Sequence, residues 1–327
     1  MTKRSSSTSS ITRHDPRERQ LLFQPDGPIN RMLTTLAHAL HRRGQLWRAN
    51  FTVSGRLAGR PLRVPLLFGA GWEHLRMREL WLFRALEEVM QQRPGAVVDV
   101  GVNVGHTLIK VKTADPDRDY VGFEPNPQCL RYTEQLVAVN RFRRVTVVPV
   151  GISNRTGVMK FLLNLDVDPS ATLVEGFREP TRYTRRMLVP VFVGDDLLDS
   201  LGVGNVAAIK IDVEGGELDV VEGLERTLRR DQPFVFCEVL PVFPGTEIAP
   251  FRLRRQAALG QLLAGLGYTI FRMHVDATAE EVDGFGVHAD MTLANYVFVP
   301  RAELERVRAR GDAASLDVEL GEHRAVV

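Results

Sequence analysis

The sequence predicts an α/β protein built on a doubly wound, mostly parallel sheet, and three observations predict it. Short, almost wholly apolar runs recur at 96–100, 120–123, 145–150, 206–211, 234–239, 268–273 and 296–299. Such runs mark strands buried on both faces, as parallel strands are. Helical patterns fill several of the intervals, which gives βαβ units with right-handed crossovers. The first run then passes straight into a glycine-rich turn and a helix, the usual position of a nucleotide-binding edge.

Ahead of this rhythm, residues 28–43 place Met32, Leu33, Leu36 and Leu40 at helical spacing. Residues 51–67 are rich in glycine and β-branched residues and read as a short hairpin. An amphipathic pattern over 72–90 reads as a second helix. These elements form a cap leaning on the main domain, with no core of their own. The expected divisions are a disordered tail at 1–20, the cap at 21–95, the main α/β domain at 96–300 and a C-terminal extension at 301–327. Within the main domain, 157–193 is an insertion with strands at 158–163 and 187–193. The loop between them, around 166–184, holds Asp166, Asp168, Arg178, Arg182, Arg185 and Arg186. It reads either as a solvated excursion or as a lid over a substrate.

The 327 residues carry a formal net charge of +2, too small to imply nucleic acid as a partner. Arginines read as scattered and mixed with acids. Cys129 and Cys237 are the only cysteines, which excludes a disulfide framework or a cysteine zinc site. Both read as buried core residues, in keeping with a reducing, cytoplasmic setting. No apolar stretch approaches the ~20 residues of a membrane span, and 1–20 lacks the apolar core of a signal peptide.

Three clusters carry the chemistry. The first is Asp99-Val-Gly101-Val-Asn103-Val-Gly105-His106. A dinucleotide fingerprint needs G-x-G-x-x-G; Asn103 and His106 stand where its second and third glycines belong, which disfavours an NAD-dependent oxidoreductase. Asp99, at the strand end, has a carboxylate suited to the ammonium of a bound amino acid, directly or through water. The second cluster is Phe123-Glu124-Pro125-Asn126. Glu124 follows the glycine turn at about the ~20-residue spacing of ribose-binding acids, and Pro125 ends its strand sharply. In the third, Asp212, Glu214 and Glu217 follow the run at 206–211, beside the topological switch. Close carboxylates raise one another's pKa and make better bases, or hold a divalent cation through oxygen. Glu238 closes another apolar run, a costly place for an unpartnered acid.

These three clusters, in this order and with Lys210-Ile-Asp-Val-Glu-Gly215 as the third, resemble the FkbM-type methyltransferases over about 64–300. The resemblance implies a class I methyltransferase (Rossmann-like) fold, with a seven-stranded sheet whose last strand is antiparallel. It implies S-adenosylmethionine as donor and O-methylation of a hydroxyl on a sugar or polyketide-like natural product. Asp99, Gly101, Asn103 and Gly105 would line the methionine end of the donor. Glu124, followed by Pro125, would hold its ribose, and Gly151, Ile152 and Ser153 would lie near the adenine. Asp212 and Glu214 would face the reacting centre.

A hydroxyl acceptor must lose a proton near the transition state, to a base or with a metal's help. Asp212 is the first choice of base, then Glu214, then Glu238. His106, His274 and His288 are weaker choices, more ordinarily structural or surface residues. Arg252, Arg254 and Arg255 read as a solvated helix face or as contacts to an anionic substrate. The competing functions are a methyltransferase-like scaffold without catalysis and an NAD-dependent oxidoreductase. Whether a divalent metal takes part, and whether the chain forms a homo-oligomer, stay open at this point.

Overall fold

The computed structural model describes residues 22–76, 79–178, 182–274 and 277–309. The tail expected at 1–20 and most of the extension expected after 300 lie outside the described residues.

The cap comprises β1 (Gln24–Pro25), α1 (Gly27–Arg42), β2 (Asn50–Leu57) and β3 (Arg60–Leu67), with α2 (Leu80–Gln92) leading into the main domain. Pro28 at the first turn of α1 loses no hydrogen bond there. Strands β2 and β3 form the expected hairpin, closed by Ala58 and Gly59, whose φ angles are both positive at 48° and 75°. The helix expected over 72–90 is interrupted. Trp72–Leu75 is a 3₁₀ turn, and Glu79 takes a left-handed φ of 55° before α2 begins. That conformation, uncommon for a residue with a Cβ, accompanies a 3.0 Å ion pair from Glu79 to the buried Lys110.

The main domain runs β4 (Ala96–Val100), α3 (His106–Ala114), β5 (Tyr120–Phe123), α4 (Pro127–Asn140), β6 (Val145–Val148), β7 (Gly151–Ser153), β8 (Gly157–Leu163) and β9 (Arg185–Val193). It continues α5 (Gly194–Ser200), β10 (Val206–Ile211), α6 (Glu217–Gly223), α7 (Glu225–Asp231), β11 (Phe234–Glu238), α8 (Ala249–Gly265), β12 (Tyr268–Met273), β13 (Ala279–Val282), β14 (Asn295–Pro300) and α9 (Arg301–Ala309).

The central sheet has the order β13-β12-β14-β11-β10-β4-β5-β6. Strands β6, β5, β4, β10 and β11 pair in parallel, and β14 inserts antiparallel between β11 and β12. This is the doubly wound, mostly parallel sheet that was expected, with one edge strand beyond the expected seven. The addition, β13, is a four-residue Ala-Glu-Glu-Val segment paired to β12, too short and too acidic to stand out by hydrophobicity.

The continuous apolar runs serve both faces, because successive strand residues point to opposite sides. On β4, Val97 belongs to the core under the cap, α2 and α3, while Val98 and Val100 belong to the core under α6, α7 and α8. The cap's Val53, Leu57, Val64 and Leu66 pack into the first of these cores, continuous with Val97 and Phe236 of the sheet. Among the described residues, the buried apolar side chains of the cap belong to this shared core. The insertion forms a separate sheet, β7-β9-β8, in which β7 pairs parallel to β9. The run read as one strand at 145–150 stays in the central sheet only to Val148, and β7 follows directly after it in the second sheet.

Candidate active site

The carboxyl ends of β4, β5, β10 and β11 open on a cavity of about 760 Å³, the place where doubly wound sheets bind ligands. On one side, the turn after β4 and the end of β5 form a compact wall. Gly101 has a φ of 89°, and a Cβ there would run into the backbone oxygen of Asp212, so only glycine lets the β4 turn lie against the end of β10. Asn103 also takes a positive φ, 48°. Its N–H donates to Glu124 Oε2 at 2.6 Å, and the N–H of Asn126 donates to Glu124 Oε1 at 2.7 Å. The Glu124 carboxylate thus locks two turns together and still borders the cavity. Burial pushes it up to about 7, against the pull of the Asn126 and Asn103 N–H groups. Asn126 in turn caps α4, accepting from the Gln128 N–H at 3.0 Å, with Pro127 at the first helical position.

The adjoining wall holds the acids after β10 and β11. Lys210 is buried, with its ammonium 3.4 Å from Asp212 Oδ2. Burial alone would lower it, but Asp212, Glu79 and Glu238 together raise it above the ordinary lysine range. Glu238 is pushed up to about 9, first by the charge of Asp212 and then by burial. Glu214 takes a left-handed φ of 55° and pairs with Arg178 of the insertion. Burial raises it to about 7, with Asp212 adding to the effect and Arg178 opposing it.

Of the residues singled out in the sequence, Gly101, Asn103, Glu124, Pro125, Gly151, Ile152, Asp212, Glu214 and Glu238 border this one cavity. Asp99, Gly105 and Ser153 do not. Asp99 is sealed in the sheet, accepting a hydrogen bond from the Tyr120 hydroxyl, with Oδ1 buried and unpartnered among the described residues. Burial raises it to about 6. A direct contact from Asp99 to a ligand's ammonium is therefore set aside. Asp212, Glu214 and Glu217 do not gather as one cluster. Glu217 Oε1 accepts from the Gly215 N–H at 2.7 Å, inside its own turn, and Glu217 borders a separate small recess. Among the described residues no three His, Cys, Asp or Glu side chains are grouped so as to hold a metal ion.

His106 borders the cavity, whereas His274 and His288 do not. Arg252 is neither solvated nor open to substrate. Buried over the ring of Phe177, it donates from Nε and Nη2 to the Phe177 carbonyl at 3.0 and 2.9 Å, and from Nη1 to the Pro241 carbonyl at 2.8 Å. It clips the end of the insertion loop to the segment after β11. Arg255 pairs with Asp219. Cys129 and Cys237 are both buried, as expected, but Cys129 also touches the cavity wall, its thiol 3.4 Å from Asn103 Oδ1.

The insertion closes the cavity through Phe161, Val167, Asp168, Pro169, Ala171 and Leu173. It is tied at both ends of the site, because Asn126 Nδ2 donates to the Asp166 carbonyl at 2.9 Å and Arg178 pairs with Glu214. The cap supplies a wall that sequence reasoning missed. His41, Leu46, Trp72, Glu73 and Glu79 face the cavity, and the rings of His41 and Trp72 stack 4.6 Å apart. His74, from the same 3₁₀ turn, donates from Nε2 to the Val104 carbonyl at 2.9 Å, fixing the cap to the glycine turn. Burial and then His106 hold His74 well below the ordinary histidine range, so it is neutral. The one signal in the sequence was the Gly69-Ala-Gly-Trp72 break between hairpin and helix.

The chain is similar to several known methyltransferases. Hexuronic acid methyltransferase AglP of Haloferax volcanii is 27% identical over 175 residues, covering 50% of this chain and 67% of that protein. The 2-O-methyltransferase NoeI of Sinorhizobium fredii is 26% identical over 171 residues, 49% of this chain and 69% of that protein. A solved FkbM methyltransferase from Methylobacillus flagellatus is 18% identical with a TM-score of 0.39, over 62% of this chain and only 43% of its own. The methyltransferase FkbM domain matches residues 99–268, more than half of the 327. The chain accordingly belongs to the FkbM family of methyltransferases, with S-adenosylmethionine as its methyl donor.

Proposed function

We propose that the protein methylates a hydroxyl of a neutral sugar or a related polyhydroxylated small molecule. The observation that carries this reading is the meeting of two groups of residues in one cavity: Gly101 and Glu124, suited to a nucleoside, and Asp212 and Glu238, suited to managing a proton. Each oxygen of Glu124 has accepted one backbone N–H and keeps a lone pair for a ribose hydroxyl. Gly101 and Asn103 would border the methionine side of the donor, and Gly151 and Ile152 its base side. Bound there, S-adenosylmethionine supplies an electrophilic methyl group.

The chain's own acids then divide the work. Glu238, raised to about 9, keeps its proton at neutral pH and can donate a hydrogen bond to the acceptor. Asp212, steadied by Lys210, accepts the proton of the attacking hydroxyl. Closure by the insertion and the cap aligns the hydroxyl with the methyl and excludes water, and alignment contributes much of the rate of an in-line displacement.

NoeI is named for transfer to an oxygen and AglP for a hexuronic acid. The acceptor end here favours the first kind of chemistry without the acid. Glu73, Glu79, Asp212, Glu214 and Glu238 border the cavity, with Lys210 as the lysine among them. A uronate carboxylate would enter the field that already forces a proton onto Glu238. The test is transfer of a carbon-13-labelled methyl from the donor to matched sugars, such as glucosides and glucuronides, with the product read by NMR. A methyl ether formed on the neutral sugar, in preference to the uronate, supports the reading. Methyl esters, N-methyl products or a preference for the uronate overturn it.

A further inference from the structure

The cap has a surface that methyl transfer does not use. From Gly27 to Trp72 the chain contains seven arginines (31, 42, 43, 48, 56, 60 and 63) and no aspartate or glutamate. The basic excess of the protein is therefore concentrated here, contrary to the even mixing read from the composition. Among the described residues, only Arg56 of these seven has an acidic partner, Asp26 at 3.8 Å. The same segment exposes large apolar side chains. Ile29, Met32, Leu36, Trp47 and Phe68 are between 45 and 72% exposed, five of the twelve such residues described.

Their placement is not random. Ile29, Met32 and Leu36 lie at i, i+3 and i+7 on α1, a single stripe. It continues the apolar arc whose other half, Leu33, Ala37 and Leu40, packs on the core. Arg31 and Arg42 lie on the polar face. Trp47 and Phe68 sit on adjoining backbone: the Phe68 N–H donates to the Ala49 carbonyl at 2.8 Å, and Gly69 lies against the Trp47 amide. The Arg48 guanidinium rests over the Trp47 ring. Leu46 and Gly69, the immediate neighbours of Trp47 and Phe68, border the cavity, so this pair of aromatics stands at its mouth.

We infer that the cap docks on an anionic lipid bilayer, with Trp47, Phe68 and the α1 stripe entering the headgroup region and the arginines meeting lipid phosphates. Exposed apolar residues on a cationic helix, with aromatics at one end, are what an interfacial surface requires. A nucleic-acid backbone would satisfy the arginines and leave Ile29, Met32 and Leu36 in water. A second copy of this cap would bring seven arginines against seven. Among the described residues no helix is long and apolar enough to cross a membrane, so the contact is peripheral. Docking brings the cavity mouth to the bilayer surface.

The experiment is flotation of the full chain with phosphatidylglycerol/phosphatidylcholine vesicles and with phosphatidylcholine vesicles alone, together with fluorescence quenching by bromolipids. The protein floats with the anionic vesicles, less with neutral ones, and less again as salt rises to about 0.5 M, where surface charge is screened. Bromolipid quenches the wild type, and Trp47→Phe removes most of that quenching. The double variant Trp47→Ala, Phe68→Ala loses about tenfold or more in partitioning, while its melting transition and its affinity for S-adenosylhomocysteine stay at wild-type values. Failure to float with anionic vesicles overturns the proposal, as does equal flotation of the double variant. Two other results also overturn it: displacement from vesicles by RNA with tighter RNA binding, and a stable dimer that the double variant dissolves. None of these readouts depends on methyl transfer.

Discussion

Glu124→Ala separates the two tasks assigned to one carboxylate. In the wild type it accepts the Asn103 and Asn126 N–H groups at 2.6 and 2.7 Å from a buried position. Alanine leaves both donors without an acceptor, at about 1–3 kcal/mol each, so a loss of about 2–4 kcal/mol in unfolding free energy is expected after local relaxation. Ribose hydroxyls bonded to a charged group contribute about 1.5–3 kcal/mol, so the dissociation constant for S-adenosylhomocysteine should rise by roughly 10- to 150-fold. Titration calorimetry on protein shown to be folded under the assay conditions measures the second effect, and urea denaturation the first. The pH dependence adds a check. The folded carboxyl titrates at about 7, and the nucleoside favours its ionised form, so donor affinity in the wild type should weaken below pH 7. Stability should run the other way. The folded value lies above the ordinary one of about 4.3, so the folded state holds the proton more tightly, and stability declines as pH rises from about 4.3 to about 7. The alanine variant loses both slopes. Wild-type affinity in Glu124→Ala, together with a flat affinity profile from pH 6 to 8, would refute the ribose assignment. Unchanged stability would refute the role in the turn.

Three further substitutions test the acids after β10 and β11 and the anchor of the insertion loop. Asp212→Asn should slow methylation by about 10²–10⁴-fold, the usual contribution of a general base, with donor affinity preserved. Full wild-type activity after exhaustive chelation keeps Asp212 as base, whereas a loss restored by Mg²⁺ would replace that role with a metal's. Glu238→Gln should flatten the pH dependence of stability. Because the folded carboxyl titrates at about 9, wild-type stability falls as pH rises from the ordinary carboxylate range toward 9, and the glutamine variant should lose less between pH 6 and 9 in thermal melts. An equal decline in both proteins would place the charge elsewhere. Arg252→Met removes three hydrogen bonds from a buried guanidinium to the Phe177 and Pro241 carbonyls, and should cost about 2–5 kcal/mol, from two buried acceptors left unpaired, or release the insertion loop. Hydrogen exchange in the loop would show release, and wild-type exchange and stability together would contradict the clip.

The sheet was legible because its strands are continuous apolar runs, and a residue buried on either face must be apolar wherever it points. The same reading blurred where burial is one-sided or the chain turns. The run at 145–150 read as one strand, but the chain leaves the central sheet after Val148 and Gly151–Ser153 pairs in a second sheet. Ala279–Val282 joined the sheet with no apolar signature at all. The helix expected through 72–90 broke where Glu79 turns to meet Lys110, a partner 31 residues away that no local pattern announces. At the site, strand ends predicted which acids would converge: Glu124, Asp212, Glu214 and Glu238. Direction was not predictable. Asp99 and Glu217 hold the same motif positions and yet point into protein, one to Tyr120 and the other to its own turn. The wall from the cap was invisible because His41, Trp72 and Glu79 belong to elements whose own periodicity concerns only core packing.

The central claim is that this cavity binds S-adenosylmethionine between Gly101 and Glu124. Calorimetric titration with S-adenosylhomocysteine and, separately, with NAD⁺ tests it most directly. One saturable site per chain is expected for the methyltransferase product, with a raised melting temperature in its presence and no heat from NAD⁺. Saturable binding of NAD⁺, or no binding of either S-adenosyl ligand by the folded protein, would contradict it.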